Sequence, residues 1–249
     1  MTSGPRLFVT LTFCIAASCL QAQPAFEVAS VKPSGTGYQG ITTGQNGSFR
    51  AIGVTLKALV AWAYGVPEFR VEGGPGWAGS QLWDIDARTN VAGQPIEPPL
   101  RALLEQRFNL RATNESKEGN VFFLDIAKSG VKMRQTTSAE QPRINYSSFF
   151  ISSPALTVPL LEGVLTRHLG SPVINRTGLT AAYEVYITWT PEVGEGDPGL
   201  IGAKPPLEAK IDQRSIFAAL EEDLGLKLTS GKSETPLVTI LSADRPGGN

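Results

Sequence analysis

The chain is poor in the residues that cross-link proteins or hold metals. It has two cysteines, Cys14 and Cys19, and a single histidine, His168. Both cysteines lie near the N-terminus, so the rest of the chain can form no disulfide and must rely on burial of a hydrophobic core. One histidine without nearby cysteine cannot form a typical zinc site, and no HExxH pair occurs. We therefore expect neither a metal nor a cofactor.

Neither sign of charge is concentrated in one region. The formal net charge is −1, and the Lys and Arg residues are dispersed among acids. A surface that follows nucleic-acid phosphates, or a polybasic membrane anchor, needs massed cations. The composition therefore predicts no nucleic-acid partner.

The N-terminal segment has the order of a secretory signal. Arg6 precedes an uncharged run at residues 7–20, and Ala22 supplies a small residue for cleavage. The run is shorter than the roughly 20 residues that span a bilayer, which favours cleavage after Ala22 over a permanent membrane helix. Residues 16–19 also resemble a lipobox, in which Cys19 would carry lipid and tether the protein to a membrane. We expect an exported protein, periplasmic or extracellular.

A shift of 116 positions brings residues 102–124 onto a second copy of the same pattern. The identical pairs are Ala102 and Ala218, Leu104 and Leu220, Glu105 and Glu221, Leu110 and Leu226, Thr113 and Thr229, and Glu118 and Glu234. Each copy is typical of an amphipathic helix, a short strand, a charged turn and a second strand. Neither copy can bury its apolar face alone, so the repeat predicts an α+β fold of two duplicated lobes.

We place the signal peptide at residues 1–22, the first α+β lobe at 23–130 and the second at 151–249. A polar connecting segment at residues 131–150 separates the lobes. Residues 191–213 are rich in Pro and Gly and suit an exposed loop. Within each lobe we expect helices packed on short, mainly antiparallel strands.

Hydrophobic periodicity and turn residues place the individual elements. The predicted helices are residues 54–64, 100–108, 156–169 and 216–224. The predicted strands are residues 26–32, 48–52, 69–72, 82–87, 110–113, 120–127, 173–175, 183–189, 227–229 and 237–241. Between them, residues 37–47 are predicted as a surface loop and residues 114–119, with Glu115 and Glu118, as a charged turn matched by the turn around Glu234.

Two groups of side chains could carry chemistry. Asp84 and Asp86 are two apart on a predicted strand, which puts both carboxylates on one face, where they could bind a cation or act as an acid and base. Solvated outward charges are the favoured interpretation, because Trp83 and Ile85 supply the buried face. His168 ends a helix, where its charge suits the helix dipole. No GxSxG motif accompanies it, so we assign no catalytic residue.

The turn at residues 73–77 is the candidate binding surface. Glycine supplies turn conformations that other residues resist, and neither a Lys nor a helix start follows as a phosphate-binding loop requires. Trp77 would anchor a partner if it is exposed, although most tryptophans pack in cores. The candidate surface comprises Gly74, Pro75, Trp77 and Asp84.

The ordered motifs resemble a family of exported domain-of-unknown-function proteins expanded in soil acidobacteria. The matching segments are residues 26–33, 54–56, 63–64, 73–75, 84–87, 103–104, 107–108, 172–173, 177–180, 219–220 and 224–226, together with Trp77, Tyr183, Asp244, Pro246 and Asn249. Some members look like the extracytoplasmic part of BlaR-type antirepressor metallopeptidases, and this chain has no peptidase segment. Thr113, Asn175 and Ala181 replace the usual His, Asp and Gly. If the family uses those positions as a polar site, this chain has lost it.

The resemblance implies a class and a location without catalytic residues. The leading interpretation is an exported binding or sensing module for a protein, a peptide or a cell-envelope component. The alternative is an extracytoplasmic hydrolase that uses Asp84, Asp86 or His168. Contact with a membrane is expected only if Cys19 is lipidated.

Overall fold

The computed structural model describes residues 25–44, 46–89, 93–136, 144–190 and 214–247. The predicted signal peptide and the predicted loop at residues 191–213 lie outside the described residues. Within these ranges the fold is α+β, as predicted.

The first half of the chain contains strands β1–β6 and helices α1 and α2. In order they are β1 (Val28–Pro33), β2 (Gly40–Thr43), β3 (Ser48–Thr55), α1 (Leu56–Tyr64), β4 (Val71–Gly73), β5 (Leu82–Arg88), α2 (Glu97–Phe108) and β6 (Arg111–Ile126). Short 3₁₀ turns at Glu68–Arg70 and Gly76–Gly79 flank β4.

The second half repeats this order. Its elements are β7 (Arg134–Gln135), β8 (Asn145–Tyr146), β9 (Phe150–Leu156), α3 (Val158–Leu169), β10 (Val173–Asn175), β11 (Tyr183–Thr188), α4 (Ile216–Ala219), which continues as a π-helical turn at Leu220–Leu224, and β12 (Leu226–Ser242). Equivalent elements therefore follow one another in the two halves. Duplication as the origin of this order stays a prediction.

The strands form two outer sheets and a central sheet. The first outer sheet has the order β1-β5-β3-β2 and the second has the equivalent order β7-β11-β9-β8. Both carry the same irregularity: β3 bulges between Ala51 and Val54, and β9 has its extra residue between Ser153 and Leu156. The central sheet has the order β10-β6-β12-β4.

The central sheet joins the two halves. Strands β6 and β12 run antiparallel along their length, while β4 of the first half pairs parallel with β12, and β10 of the second half pairs parallel with β6. Val238 and Ile240 of β12 lie in the core of the first half, and Leu124 of β6 lies in the core of the second. Each core is therefore completed by residues of the other half.

The predicted charged turn at residues 114–119 is wrong, because these residues form the middle of β6. They pair with residues 233–238 of β12, so the strands predicted on either side of each turn are single long strands. Glu118 lies directly opposite Glu234, the residue to which the sequence repeat relates it. The pattern misled because this stretch is mostly solvent-exposed and has no apolar alternation.

Two smaller predictions also need correction. The predicted loop at residues 37–47 includes β2, which pairs with β3 as the edge of the first outer sheet. The predicted strand at residues 69–72 begins with a 3₁₀ turn, and the pairing with β12 starts at Val71. Both are short edge elements, which tertiary pairing defines more than local pattern does.

Hydroxyl side chains cap the starts of α1 and α4, and glycines cap their ends. Thr55 Oγ1 accepts a hydrogen bond from Ala58 N at 3.1 Å at the start of α1, and Ser215 Oγ accepts one from Ala218 N at 3.3 Å at the start of α4. Gly65 and Gly225 end these helices in the left-handed region, with φ of 66° and 68°. The predicted helix ends at residues 64 and 224 are therefore confirmed.

The two glycine caps differ in their surroundings, which allows a matched stability test. A Cβ at Gly65 would meet open space, whereas a Cβ at Gly225 would overlap the carbonyl group of Gly130. Gly65→Ala should cost only the left-handed strain, about 1–2 kcal/mol. Gly225→Ala should lower the free energy of unfolding by roughly 2 kcal/mol more, because the backbone at Gly130 must move. Urea unfolding of both variants measures the difference, and equal losses would contradict the packing of Gly130 on this helix end.

Candidate functional site

The turn after β4 is built on glycines that adopt positive φ. Gly73 and Gly74 have φ of 71° and 81°, and Gly74 N donates to Ile240 O at 2.9 Å, which fixes the turn to β12. Pro75 then leads into the 3₁₀ turn Gly76–Gly79. The turn is largely exposed, so its backbone is accessible to a partner.

Trp77 lies half-buried rather than free in solvent. Its ring packs against Trp83 and Phe108, with centroid distances of 6.0 Å and 6.4 Å. Trp83 and Phe108 are themselves buried in the first core. The expectation of an exposed aromatic therefore holds for part of the ring only, and the core fixes the orientation of the rest.

Arg245, which is distant from Trp77 in sequence, lies over the Trp77 ring. The Arg245 guanidinium lies 5.3 Å from the centroid of the Trp77 ring, and Arg245 Nε donates to Gln81 Oε1 at 2.7 Å. Asp244 holds this tail in place, since Asp244 N donates to Phe108 O at 2.7 Å and its carboxylate accepts from Asn109 Nδ2 at 2.9 Å. Sequence reasoning missed Arg245, although Asp244 and Pro246 stood among the family motifs.

A second cation lies at the end of the same turn. The side chain of Lys57 runs over Gly79, where a Cβ added to this glycine would lie 3.5 Å from Lys57 Cδ. Among the described residues, neither Lys57 nor Arg245 forms an ion pair. The turn therefore carries a half-buried aromatic ring and lies near two cations, neither of which pairs with a carboxylate of the described residues.

Asp84 and Asp86 lie on the outer face of the first outer sheet, as predicted, and Trp83 and Ile85 are buried on its opposite face. Asp84 Oδ1 accepts a hydrogen bond from Gly53 N at 3.0 Å. Gly53 is the bulge residue of β3, with φ of 63°. Asp84 therefore holds the bulge in place, which is a structural role.

The charge of Asp84 is stabilised by its surroundings. The side-chain hydrogen bond from Ser34 is the largest cause that holds the pKa of Asp84 below its usual range. The Gly53 N–H and the charges of Lys32 and Arg50 also lower this pKa, against partial burial, which raises it.

His168 lies in the other half, away from these carboxylates. Its ring meets Trp189 edge-on, with centroids 5.3 Å apart, and Gly170 ends its helix. Trp189 belongs to the second core, whereas Asp84 and Asp86 lie on a sheet that covers the first. The structure thus does not bring the three candidate catalytic residues together. In the described ranges, no three His, Cys, Asp or Glu side chains are placed to hold a metal ion.

A small cavity lies where β1 meets α2. It has a volume of about 220 Å³ and is lined by Phe26 and Glu27 on one side and by Leu103 and Arg107 on the other. Arg107 Nη2 donates to Ala29 O at 3.3 Å, so this arginine ties the first strand to α2. No sequence pattern indicates this cavity.

A family model described as "Protein of unknown function (DUF3738)" matches residues 57–243, which include α2, α3, α4 and the whole central sheet. The chain belongs to the DUF3738 family. No curated protein and no solved structure matches it. The resemblance to a domain-of-unknown-function family is therefore confirmed at that level. In the described part of the chain, no helix is both long and apolar enough to cross a bilayer.

Thr113 and Asn175, two of the positions expected to differ from the family pattern, do not meet. Thr113 pairs with Thr239 near one end of β6, whereas Asn175 pairs with Leu124 near the other, roughly 35 Å away at about 3.3 Å per residue. Asn175 Oδ1 accepts from Thr177 N at 2.9 Å and from Thr177 Oγ1 at 2.8 Å, which shapes the turn after β10. Asn175 has a structural role here.

The pKa of Asp84 predicts a pH-dependent effect on stability. Because the folded-state pKa is depressed, the ionised carboxylate stabilises the fold above the unfolded value of about 3.9, and this contribution is lost as pH falls through the folded pKa. Asp84→Asn should lower the free energy of unfolding at pH 7 by at most about 1 kcal/mol, since the site is well solvated. Urea unfolding at several pH values should show the gap closing below about pH 4, the unfolded pKa.

Asp86→Asn is the matched control for this prediction. It removes the same charge from the same face and leaves the Gly53 hydrogen bond intact. A gap between Asp84→Asn and the wild type that persists unchanged at low pH would contradict the proposed role of the Asp84 charge.

Proposed function

We propose that this DUF3738 protein is an exported binding module whose contact surface is the turn Gly74, Pro75 and Trp77, completed by Arg245. The partner is a protein, a peptide or a cell-envelope component. Asp84, which belonged to the candidate surface, supports the neighbouring β3 bulge instead of facing the partner.

The fixed Trp77–Arg245 pair is the observation that carries this proposal. Binding hot spots are rich in Trp and Arg, because these side chains offer large contact areas. Here Trp77 packs against the buried Trp83, and Arg245 is held by its cation–π contact with Trp77 and its hydrogen bond to Gln81. Little side-chain entropy remains to be lost on binding, so such a pair suits recognition.

Location follows from the N-terminal pattern and is part of the proposal. A positive residue, an uncharged run and a small residue at Ala22 favour export, and the remaining chain is free of thiols. The protein then acts in the periplasm or outside the cell, with lipid at Cys19 as the alternative mode of attachment.

Mass spectrometry of the protein recovered from the exported fraction of a bacterial expression host tests export. We expect a mature chain that begins at Gln23, because signal peptidase would cut after Ala22. A chain that begins at a lipid-modified Cys19 would support membrane anchoring instead. Recovery of Met1 in the exported fraction would contradict both.

A blocking substitution tests the contact surface without disturbing the core. Gly76 lies in the turn, is exposed, and has open space where a side chain would stand. Gly76→Gln should therefore fold normally and obstruct access to Trp77. Quantitative affinity capture from envelope extract should show proteins retained by the wild type and reduced about tenfold with Gly76→Gln, a loss of about 1.4 kcal/mol.

Gly163 in α3 provides the control, since it is also exposed and has open space where a side chain would stand. Gly163→Gln should capture the same proteins as the wild type. If Gly76→Gln captures them equally well, the turn is not the contact surface.

A further inference from the structure

We infer that the turn recognises carboxylate side chains of an acidic peptide segment, with Arg245 as the main ligand-binding residue and Lys57 as the second. This inference rests on the proposed function, because it names the chemistry of the partner at the same surface.

Arg245 is held in a geometry suited to a carboxylate. Its Nε donates to Gln81, a neutral acceptor, and its guanidinium carbon lies over the Trp77 ring, 5.3 Å from the ring centroid. Within the described ranges, its two Nη groups have no hydrogen-bond partner. A guanidinium fixed in this way offers paired N–H donors that match the two oxygens of a carboxylate.

Other arginines of the chain form ion pairs with carboxylates of the chain itself. Arg214 pairs with Glu222 and Asp223, and Arg134 pairs with Glu184. Asp244, the acid next to Arg245 in sequence, instead accepts from Asn109. The positive charge of Arg245 is thus left for a group from outside the described chain.

Lys57 extends the charge complementarity along the turn. Arg245 lies at Trp77 and Lys57 lies at Gly79, so the two cations flank the exposed 3₁₀ turn. A segment with acidic residues spaced along it can engage both cations at once. Each exposed ion pair contributes little binding free energy alone. Two such pairs together give specificity and an association that weakens as salt is raised.

The shape of the turn favours a peptide over a small molecule. Gly74 and Gly76 are exposed and have no side chains, so another backbone can approach closely. Small-molecule sites are concave and bury most of the ligand, which an exposed turn cannot do. An extended acidic segment gains enough contact by lying across the glycines and Trp77.

A charge-matched peptide pair tests this inference. The probes are a fluorescein-labelled hexaglutamate with a blocked C-terminus and the corresponding hexaglutamine, measured by fluorescence anisotropy with the full mature chain at low salt. We expect the wild type to bind hexaglutamate at least about tenfold more tightly, and the affinity to fall as salt is raised. Equal affinity for the two peptides overturns the inference.

Variants locate the binding site. Arg245→Gln should weaken hexaglutamate binding about tenfold and Lys57→Gln about threefold, in line with a strong and a weaker charged contact. Arg176→Gln is the control, because Arg176 is an exposed arginine of the second half whose guanidinium carbon lies 3.2 Å from the centroid of the Phe123 ring. It removes the same charge and should leave the affinity within about twofold of the wild type, as expected for a distant surface charge. Equal losses in Arg245→Gln and Arg176→Gln would show nonspecific attraction and overturn the site.

Two further measurements distinguish an acidic peptide from a free carboxylate and from an anionic membrane. Sodium acetate at the same carboxylate concentration should compete poorly, and vesicles that contain phosphatidylglycerol should bind the wild type and Arg245→Gln equally. Efficient competition by acetate, or vesicle binding that depends on Arg245, overturns the assignment to a peptide. Urea unfolding of each variant confirms that the fold is retained.

The capture experiment separates this inference from the proposed function. If Gly76→Gln loses the captured proteins while Arg245→Gln keeps them, the turn binds a partner by other chemistry and the carboxylate inference fails alone. If Gly76→Gln keeps them, the proposed contact surface itself fails.

Discussion

The antiparallel pairing of β6 with β12 is the interaction on which the fold depends. It runs from Arg111 to Ile126 on one strand and provides the pairing surface for β4 and β10 at opposite ends. Since Val238, Ile240 and Leu124 pack in the core of the opposite half, separating the two strands would open both cores. The halves therefore act as one unit, although each has its own outer sheet and helices.

The centre of this pairing is stabilised by polar groups and not by burial. Glu118 and Glu234 face each other, which is unfavourable for like charges. Lys232 Nζ lies 3.3 Å from Glu118 Oε1 and offsets part of this repulsion. Arg70, from the turn before β4, donates to the carbonyl oxygens of Thr235 at 2.8 Å and Pro236 at 3.0 Å. The contacts of Lys232 and Arg70 thus hold the part of the pairing that lies between the two cores.

Sequence patterns predicted the fold where local physics decides the structure. The C-terminal ends of α1 and α3 and the alternation around Asp84 depend on helix periodicity, capping and burial, all of which neighbouring residues encode. The middle of β6 was mispredicted because its charges face solvent, so the strand leaves no period-two signal. The Trp77–Arg245 pair was missed for another reason. Arg245 bonds to Gln81, which is 164 positions earlier in the sequence, and the pattern of neighbouring residues cannot predict such a contact.

The difference between the two halves is informative about function. The turn after β10 is closed by its own side chains, since Asn175 accepts from Thr177 and Thr177 Oγ1 accepts from Leu179 N at 3.2 Å. The equivalent turn after β4 has glycines at Gly73 and Gly74 and is completed by the distant tail. The scaffold must stay alike in both halves because the shared ladder couples their cores, whereas an exposed turn is free to change. The two equivalent turns thus differ in how they are held, and the turn that carries Trp77 is the one whose glycine backbone stays exposed.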